Sequence, residues 1–526
     1  MNALSMTELE ISPVLPETSN DQRHAKWARV CVIAILSISV VYALMLPSGG
    51  LSSLGAERTG AAGYDSFHFL AGTDSIIASG SYLDISGAPQ SQWPPGTSIL
   101  YAAVASLSSK APEELVMFVN LAALLLMAGS LWLIIAMTIE RWWIAVITFA
   151  SIFLNTSILS LQNQFLSDPL ALATSSAAMA SGIVACRGGK NWFSWICVGS
   201  VFLSISICIR YAMLPGIPIL ALAAFWLSKR SSSHRGAVFV PLLLPPLLTL
   251  ISFYFVRSSG APHLPFSIRT VNSMGSFDFA HYRYWQAFVP LADQVIPNAL
   301  FATWLSIIIV GIGFIAVPLG VTFVMQKFQQ RGALIICVGY VLVSCLFLAL
   351  VPIISTFPFG MLYRYLLPLY PFILIGAAIA ANVLLNRRRL ISRILSLVII
   401  GLLSIAAARS TRAAALGVLG HAFQHSDSCE TAILDDLKRV SATQRPSAAL
   451  TNIQELAWYA MRIPTAQLTW RSLADATSGT IIIFVRPGLT CPKAAQVVNI
   501  TEMALTSSPD VRIVSSSGAL LIGRKQ

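Results

Sequence analysis

The sequence predicts a polytopic α-helical membrane protein: a bundle of about eleven transmembrane helices with juxtamembrane helices and a small α/β soluble domain at the C-terminus. Of its 526 residues 56% are hydrophobic and only 11% are charged, and the mean hydropathy is +0.73. Soluble proteins carry roughly a quarter charged residues. The net charge is +12, but the basic residues cluster at the ends of apolar segments. This pattern indicates orientation in a bilayer and argues against a nucleic-acid partner.

Apolar segments of about 20 residues, the length that crosses a bilayer, recur along the chain. They cover residues 27–46, 115–138, 142–159, 168–186, 192–209, 211–227, 236–256, 299–325, 333–355, 365–385 and 391–408. The first follows a long polar stretch without a small-residue cleavage site, so we expect a retained helix and not a signal peptide. The segment 97–109 is too short to cross, so we expect it to lie along the interface or to dip into the membrane.

The basic residues also predict the orientation of the bundle. Arg23, Lys26 and Arg29 lie around the start of the first helix and place the tail, residues 1–26, in the cytoplasm. With an odd number of spans, Arg141 and the arginine run at 387–389 fall on the cytoplasmic side as well. The transmembrane domain then covers residues 27–408, and the outer, periplasmic side holds the loops 47–97 and 257–298 and a C-terminal domain, 409–526.

The first outer loop contains several ionisable residues in an otherwise apolar chain. Asp65 lies in Gly-Tyr-Asp-Ser-Phe-His-Phe, where aromatic neighbours can hold it at the membrane surface, partly desolvated, as a general base requires. His68 either orients a substrate or makes a local hydrogen bond. Asp74 and Asp84 are expected only to solvate the loop.

Three more ionisable residues share this outer level. Asp168 opens a helix in Leu-Ser-Asp-Pro, where it either caps the helix or takes part in a site. Arg210, before Tyr211, and Arg364, before Tyr365, repeat an Arg-Tyr pattern at outer helix ends. Guanidinium groups bind phosphate oxygens in a bidentate manner; the alternative is that these arginines anchor to lipid headgroups.

The second outer loop mixes His281 and Arg283 with several aromatic residues. This mixture suits a sugar or an anionic acceptor, and it is equally typical of an interfacial aromatic belt.

The C-terminal domain contains no spanning segment. Its apolar and polar residues alternate over short stretches separated by breaks, as in a small mixed α/β fold. Residues 435–440 predict a helix, 448–451 and 480–485 predict strands, and 511–522 predict a terminal hairpin. Cys429 and Cys491 lie here and can form a disulfide if the domain faces an oxidising compartment. The other six cysteines fall in or beside apolar segments, and the sequence contains no metal-binding motif.

The order of these motifs resembles the GT-C superfamily of membrane glycosyltransferases. The motifs are a first helix, a loop with the early Asp65 that ends in Trp93-Pro-Pro-Gly, Leu-Ser-Asp168-Pro, Ile-Arg210-Tyr and Arg364-Tyr-Leu-Leu-Pro-Leu-Tyr-Pro. The likeness is greatest to protein O-mannosyltransferases, lipid A aminoarabinose transferases and bacterial sugar transferases of the dolichyl-phosphate-mannose type. Many of these have Asp-Glu where this chain has Asp65-Ser66, and Ser-Glu-Pro at Asp168. The first departure leaves open whether a second carboxylate or a divalent cation takes part.

The resemblance implies an enzyme of the bacterial inner membrane. It implies a polyprenyl-phosphate-linked sugar as donor, an envelope lipid, glycan or protein as acceptor, transfer with inversion on the periplasmic face, and contact with membrane lipids. Asp65 then matches the catalytic base, and Arg210 and Arg364 match residues that hold the donor phosphate. Weaker candidates for substrate binding are Asp168, His68, Tyr211, Tyr365, Trp93, His281 and Arg283.

Two other functional classes remain open from the sequence alone. A transporter or flippase of lipid-linked sugars predicts inverted repeats and broken helices with charges near the midplane, whereas the charged residues here lie at outer helix ends. A non-catalytic envelope assembly protein would tolerate the loss of Asp65.

Overall fold

The computed structural model describes most of the chain. The residues described are 19–45, 62–90, 93–162, 164–187, 191–229, 235–256, 308–309, 311–325, 328–354, 366–421, 429–444, 446–451, 454–468, 470–485, 505–506, 508, 511–516 and 520–525. The predicted helical membrane architecture is confirmed, because every predicted span contains a helix in its described part.

The described apolar part of the chain forms a series of helices. In chain order they are α1 Ser19–Met45, α2 Ala62–Ser79, α3 Gly96–Ser108, α4 Val116–Thr138, α5 Trp142–Phe153, α6 Thr156–Leu159, α7 Ser167–Ala185, α8 Trp192–Ile209, α9 Gly216–Ser228, α10 Phe239–Val256, α11 Val317–Val324, α12 Phe328–Ile354, α13 Tyr370–Leu385 and α14 Leu390–His421. Short 3-10 turns cover Pro112–Glu114, Tyr211–Met213, Arg235–Val238 and Leu367–Leu369, and a π-helical turn covers Ile312–Ala316.

The predicted count of about eleven spans is not confirmed. Among the described residues, seven helices are long and apolar enough to cross a membrane: Lys26–Met45, Val116–Thr138, Trp192–Ile209, Tyr211–Ser228, Gln330–Leu348, Leu367–Leu385 and Leu390–Leu416. The predicted span 142–159 is divided because the Asn155 side chain accepts hydrogen bonds from Ser157 N and Ile158 N and starts a new helix there. Helix α3, with 13 residues, is as short as predicted.

Helix α7 lies at the centre of the bundle and contacts α4, α8, α9 and α12. It is buried along nearly its whole length and is rich in alanine and serine. Small residues allow close approach in such bundles: a Cβ added at Gly182 would lie 2.7 Å from Cδ2 of Leu220. This packing fixes the start of α7, with its Asp168, relative to the end of α8, which leads into Arg210.

The two ends of the bundle differ in their polar residues. At one end, Arg141 Nη2 donates to Asn386 Oδ1 at 2.8 Å, and the arginine run at 387–389 lies beside it. At the other end lie the start of α7, the end of α8 and the helices α2 and α3. We call these the basic end and the site end.

The C-terminal domain contains a five-stranded sheet. Its strands are β1 Ala449–Thr451, β2 Thr465–Gln467, β3 Ile481–Val485, β4 Val511–Ser516 and β5 Leu520–Lys525, in the spatial order β2-β1-β3-β5-β4. The helices are α15 Cys429–Gln444, α16 Gln454–Met461 and α17 Trp470–Asp475.

In this sheet β1 pairs in parallel with β2 and β3, and β5 pairs antiparallel with β3 and β4. The predicted helix, the two predicted strands and the terminal hairpin are all present, whereas the prediction missed β2. Helix α14 also continues past residue 408, the predicted end of the last span, to His421.

Candidate functional site

Helix α2 carries the two most prominent residues of the first outer loop. Asp65 lies in its first turn, where a carboxylate interacts favourably with the helix dipole. His68 follows three residues later and therefore lies on the same face. Its imidazole is buried and stacks on the indole of Trp93, with ring centroids 4.4 Å apart and an interplanar angle of 18°.

The pKa of His68 reflects its burial and two nearby carboxylates. Burial lowers the pKa of His68 below its ordinary value, and the nearby carboxylates of Asp84 and Asp65 oppose this shift. The imidazole is therefore neutral near pH 7 and can both donate and accept a hydrogen bond. Two carboxylates, an imidazole and an indole thus lie together at the site end.

Asp84 does more than solvate the loop, contrary to the expectation from sequence. Its Oδ1 accepts hydrogen bonds from Ser86 N at 2.8 Å, Ser86 Oγ at 2.6 Å and Ala88 N at 3.1 Å. These bonds close a short hairpin between residues 82 and 90, in which Leu83 and Pro89 form an antiparallel bridge. We call this segment the 82–90 hairpin.

Tyr82 joins this hairpin to the Trp-Pro-Pro-Gly turn. Its hydroxyl donates to the carbonyl oxygens of Trp93 and Pro94, each at 3.3 Å. Its ring covers Gly72 of α2 so closely that a Cβ at Gly72 would overlap Cε2 of Tyr82. The position of Trp93 beside His68 therefore depends on a glycine one turn further along α2.

Gly96 brings the same turn against the end of α8. A Cβ added at Gly96 would lie 2.5 Å from the carbonyl oxygen of Cys208 and 2.9 Å from the nitrogen of Ile209. Because real Cβ atoms do not approach other atoms so closely, glycine is required here. The contact places the beginning of α3 beside a residue that precedes Arg210 by two positions.

Arg210 and Asp168 form a buried ion pair. Arg210 Nη1 lies 2.5 Å from Asp168 Oδ1 and donates to Ser167 Oγ at 3.3 Å. Of the two alternatives for Asp168, capping is not seen, because the N-cap of α7 is Leu166 and the helix has no side-chain capping hydrogen bond. Arg210 is also buried, with only 6% of the residue exposed.

The connection before α7 is held by a buried asparagine that the sequence reasoning missed. Asn120 Nδ2 donates to the carbonyl oxygens of Gln162 and Gln164, both at 2.9 Å. Tyr101 of α3 stacks on Phe165 with ring centroids 4.1 Å apart. A polar residue in an apolar helix is the signal that could have identified Asn120.

Several buried polar atoms at the site end have no hydrogen-bond partner among the described residues. They are the hydroxyls of Ser66 and Thr97 and the side-chain oxygens of Gln162 and Gln164. Buried polar groups are normally hydrogen-bonded, so these atoms are available to a polar ligand.

The structure brings most of the described candidates to one end of the bundle. Asp65 and Trp93 both lie beside His68, and Asp168, Arg210 and Tyr211 lie where α7 begins and α8 ends. The remaining candidates Arg364, Tyr365, His281, Arg283 and Cys491 lie outside the described residues, as does the side chain of Cys429. In the described part of the chain, no three His, Cys, Asp or Glu side chains are placed to hold a metal ion.

Comparison with known proteins gives a structural likeness only. No protein-family model and no curated protein sequence matches this chain. ArnT from Cupriavidus metallidurans, in its crystal structure bound to undecaprenyl phosphate, aligns over 95% of this chain and 98% of its own, with 12% identity and a TM-score of 0.56. Apo ArnT aligns over the same shares with a TM-score of 0.55.

A third structure, the oligosaccharyltransferase of Archaeoglobus fulgidus in complex with Zn and sulfate, aligns over 86% of this chain and 68% of its own. The identity is 11% and the TM-score 0.48. At the level of the fold, the likeness to ArnT confirms the resemblance seen in the motifs. The chain therefore shares the fold of ArnT over nearly its whole length.

Proposed function

We propose that the protein is an integral-membrane glycosyltransferase that moves a sugar from a polyprenyl-phosphate-linked donor to an envelope lipid, glycan or protein. The observation that carries this proposal is the grouping of Asp65, His68 and Trp93 with the Asp168–Arg210 pair at one end of the bundle. The fold supports the choice of donor, because ArnT, which shares it, was crystallised with undecaprenyl phosphate.

The proposed orientation follows from the charge of the two ends. The basic end holds Arg141 and the arginines at 387–389, and basic loops face the cytoplasm. The site end then faces the periplasm, with the N-terminus cytoplasmic and the C-terminal domain periplasmic. This assignment places the reaction at the outer face of a bacterial inner membrane.

In the proposed reaction Asp65 acts as general base. The acceptor hydroxyl attacks the anomeric carbon and transfers its proton to the Asp65 carboxylate, while the bond between that carbon and the phosphate oxygen breaks. The electron pair leaves with the polyprenyl phosphate. A single displacement of this kind inverts the anomeric carbon, so one carboxylate suffices where a retaining hydrolase needs two.

The leaving phosphate needs positive charge and no proton donor. We assign this role to Arg210, whose guanidinium is already oriented by Asp168 and Ser167, since preorganised charge stabilises a transition state without reorganisation. Arg364 and Tyr365 remain proposals from the sequence for the same phosphate. The sequence likewise proposes His281 and Arg283 as contacts for the acceptor.

We assign binding of the sugar to His68 and to the buried hydroxyl and amide groups near it. The neutral imidazole is fixed by its stack on Trp93, and Ser66, Thr97, Gln162 and Gln164 present buried polar atoms. Sugar hydroxyls both donate and accept hydrogen bonds, so a lining of this kind can orient the pyranose ring.

The test is a reconstituted reaction. The purified protein is placed in proteoliposomes with a panel of undecaprenyl-phosphate-linked sugars and an envelope extract, and both released undecaprenyl phosphate and glycosylated product are measured by mass spectrometry. We expect release and transfer in equal amounts, with an inverted anomeric carbon in the product. Movement of intact donor across the bilayer without its consumption would instead support a flippase, and a product with retained configuration would refute the single displacement.

A further inference from the structure

One helix of the C-terminal domain, α16, packs against the site end of the bundle. Trp458 of α16 is buried and belongs to the apolar core of the bundle, not to either of the domain's own cores around Ile433 and Leu473. Helix α16 also lies against α2. The domain therefore contacts the same helix that carries Asp65 and His68.

Arg462 makes the polar part of this contact. Its Nη1 lies 2.6 Å from Asp74 Oδ2 on α2, and its Nη2 lies 2.8 Å from Glu113 Oε1. The guanidinium also lies over the ring of Trp458, 4.8 Å from the centroid. Asp74 was expected only to solvate the loop, and this ion pair corrects that expectation. Two carboxylates from different elements are thus joined by one rigid fork of donors.

A second contact holds the 82–90 hairpin. Thr465 N, at the start of β2, donates to the carbonyl oxygen of Ile85 at 2.9 Å. A Cβ built at Gly87 would lie 3.5 Å from Cβ of Pro464. The segment from Arg462 to Thr465 therefore contacts both α2 and the 82–90 hairpin, which contains Asp84.

The backbone conformation of Arg462 is unfavourable for a residue that carries a side chain. Its φ is +53°, in the left-handed region, directly after α16 ends. Glycine is the usual residue at such a helix end, and a residue with a Cβ is disfavoured there. An arginine at this position is therefore explained by what its guanidinium binds and not by its backbone.

We propose that Arg462 is a positioning residue for transfer: by holding Asp74 and Glu113 it fixes helix α2, and with it Asp65 and His68. Asp74 and Asp65 lie on the same helix, about 14 Å apart along its axis at roughly 1.5 Å per residue, so a constraint on one end aligns the other. The role assigned to Asp65 rests on the proposed function, whereas the docking of the domain does not.

The decisive variant is Arg462→Gly, because glycine suits the left-handed backbone and removes only the side chain. Arg439→Ala is the matched control, since Arg439 forms an exposed ion pair with Asp436 in the same domain. We expect Arg462→Gly to lower kcat at least ten-fold with a smaller change in KM for the donor. Arg462→Lys should recover only part of the rate, because one ammonium group cannot reproduce the two contacts that the guanidinium makes with Asp74 and Glu113. Arg439→Ala should match the wild type.

A disulfide lock separates positioning from other effects of the variant. Cysteines at positions 87 and 464 would have their Cβ atoms about 3.5 Å apart, which suits a disulfide, and the bond is detected by mass spectrometry of peptides. Because Gly87 has a φ of +77°, Gly87→Ala is the control for backbone strain at that position. Formation of the bond in the Gly87→Cys/Pro464→Cys protein supports the docked arrangement, and its failure to form would overturn it. In the Arg462→Gly background, oxidation should restore transfer and reduction should abolish it again.

Three further results would overturn the proposal. They are wild-type turnover by Arg462→Gly, a locked Arg462→Gly protein that stays inactive, and unchanged hydrogen exchange of α2 in Arg462→Gly. The last readout is independent of sugar transfer: we expect exchange of the Asp65–Ser79 peptide to rise about ten-fold in the variant. If the wild type transfers no sugar while this exchange rises as expected, the proposed function fails and the docking role stands.

Discussion

Replacing Asp168 with alanine leaves the guanidinium of Arg210 buried without its carboxylate. The pair is close, at 2.5 Å between Arg210 Nη1 and Asp168 Oδ1, and the side chains are only 8% and 3% exposed. Breaking such a pair from one side costs about 3–5 kcal/mol. Because Ser167 Oγ keeps one contact with Arg210 at 3.3 Å, we expect a loss of about 4 kcal/mol in unfolding free energy, near the middle of that range.

The double variant Asp168→Ala/Arg210→Met removes both charges and should lie within about 1 kcal/mol of the wild type, because apolar replacement of a buried pair is often neutral. Equilibrium unfolding in detergent, followed by tryptophan fluorescence, measures the free energy of unfolding of the wild type, Asp168→Ala, Arg210→Met and the double variant. If Arg210 also meets a lipid phosphate, added undecaprenyl phosphate should stabilise Asp168→Ala and not the double variant. An Asp168→Ala protein as stable as the wild type, or a double variant as unstable as the single, would refute the reasoning.

Three further predictions concern other parts of the site end. Gly96→Ala should lower the melting temperature by several degrees and abolish transfer because its Cβ would lie 2.5 Å from a carbonyl oxygen of α8, whereas Gly129→Ala, with nothing within 4 Å, should do neither in the same thermal scan. Asn120→Leu should cost roughly 2–5 kcal/mol in the unfolding assay, because two buried carbonyl oxygens lose their donor. Burial raises the pKa of Asp74 from 3.8 to about 6, and Arg462 opposes the shift. Between about pH 4 and 6 the folded state therefore holds a proton on Asp74 that the unfolded state has released. The free energy of unfolding should then fall as the pH rises across this range. Asp74→Asn should remove this slope and Arg462→Gly should extend it to higher pH in unfolding titrations; a slope of opposite sign would contradict the assignment.

Much of the fold was predictable because apolar length and basic flanks are local features of the sequence. The short helix α3 could be identified in this way, and the start of the C-terminal hairpin could be identified from its alternating pattern. The count of about eleven spans is not confirmed in the described part of the chain, where Asn155 divides one apolar run into two helices.

Most described residues of the candidate site could be named from the sequence, but the contacts between them could not. Asp65, His68 and Arg210 were identified because ionisable residues in an apolar chain are conspicuous. The ion pair of Arg210 with Asp168 and that of Arg462 with Asp74 join residues that are far apart in the sequence, and only the packing of the helices brings them together. The expectation that Asp74 only solvates a loop was wrong for this reason.

The central claim is that Asp65 removes the proton of an acceptor hydroxyl, and the most direct measurement is single-turnover transfer by Asp65→Asn. The variant keeps the size of the side chain, and Asp436→Asn, in the exposed ion pair of α15, is the control for loss of a carboxylate. We predict a loss of about 10²–10⁴-fold in the transfer rate for Asp65→Asn, with folding intact and Asp436→Asn unchanged. Transfer by Asp65→Asn at the wild-type rate would contradict the account.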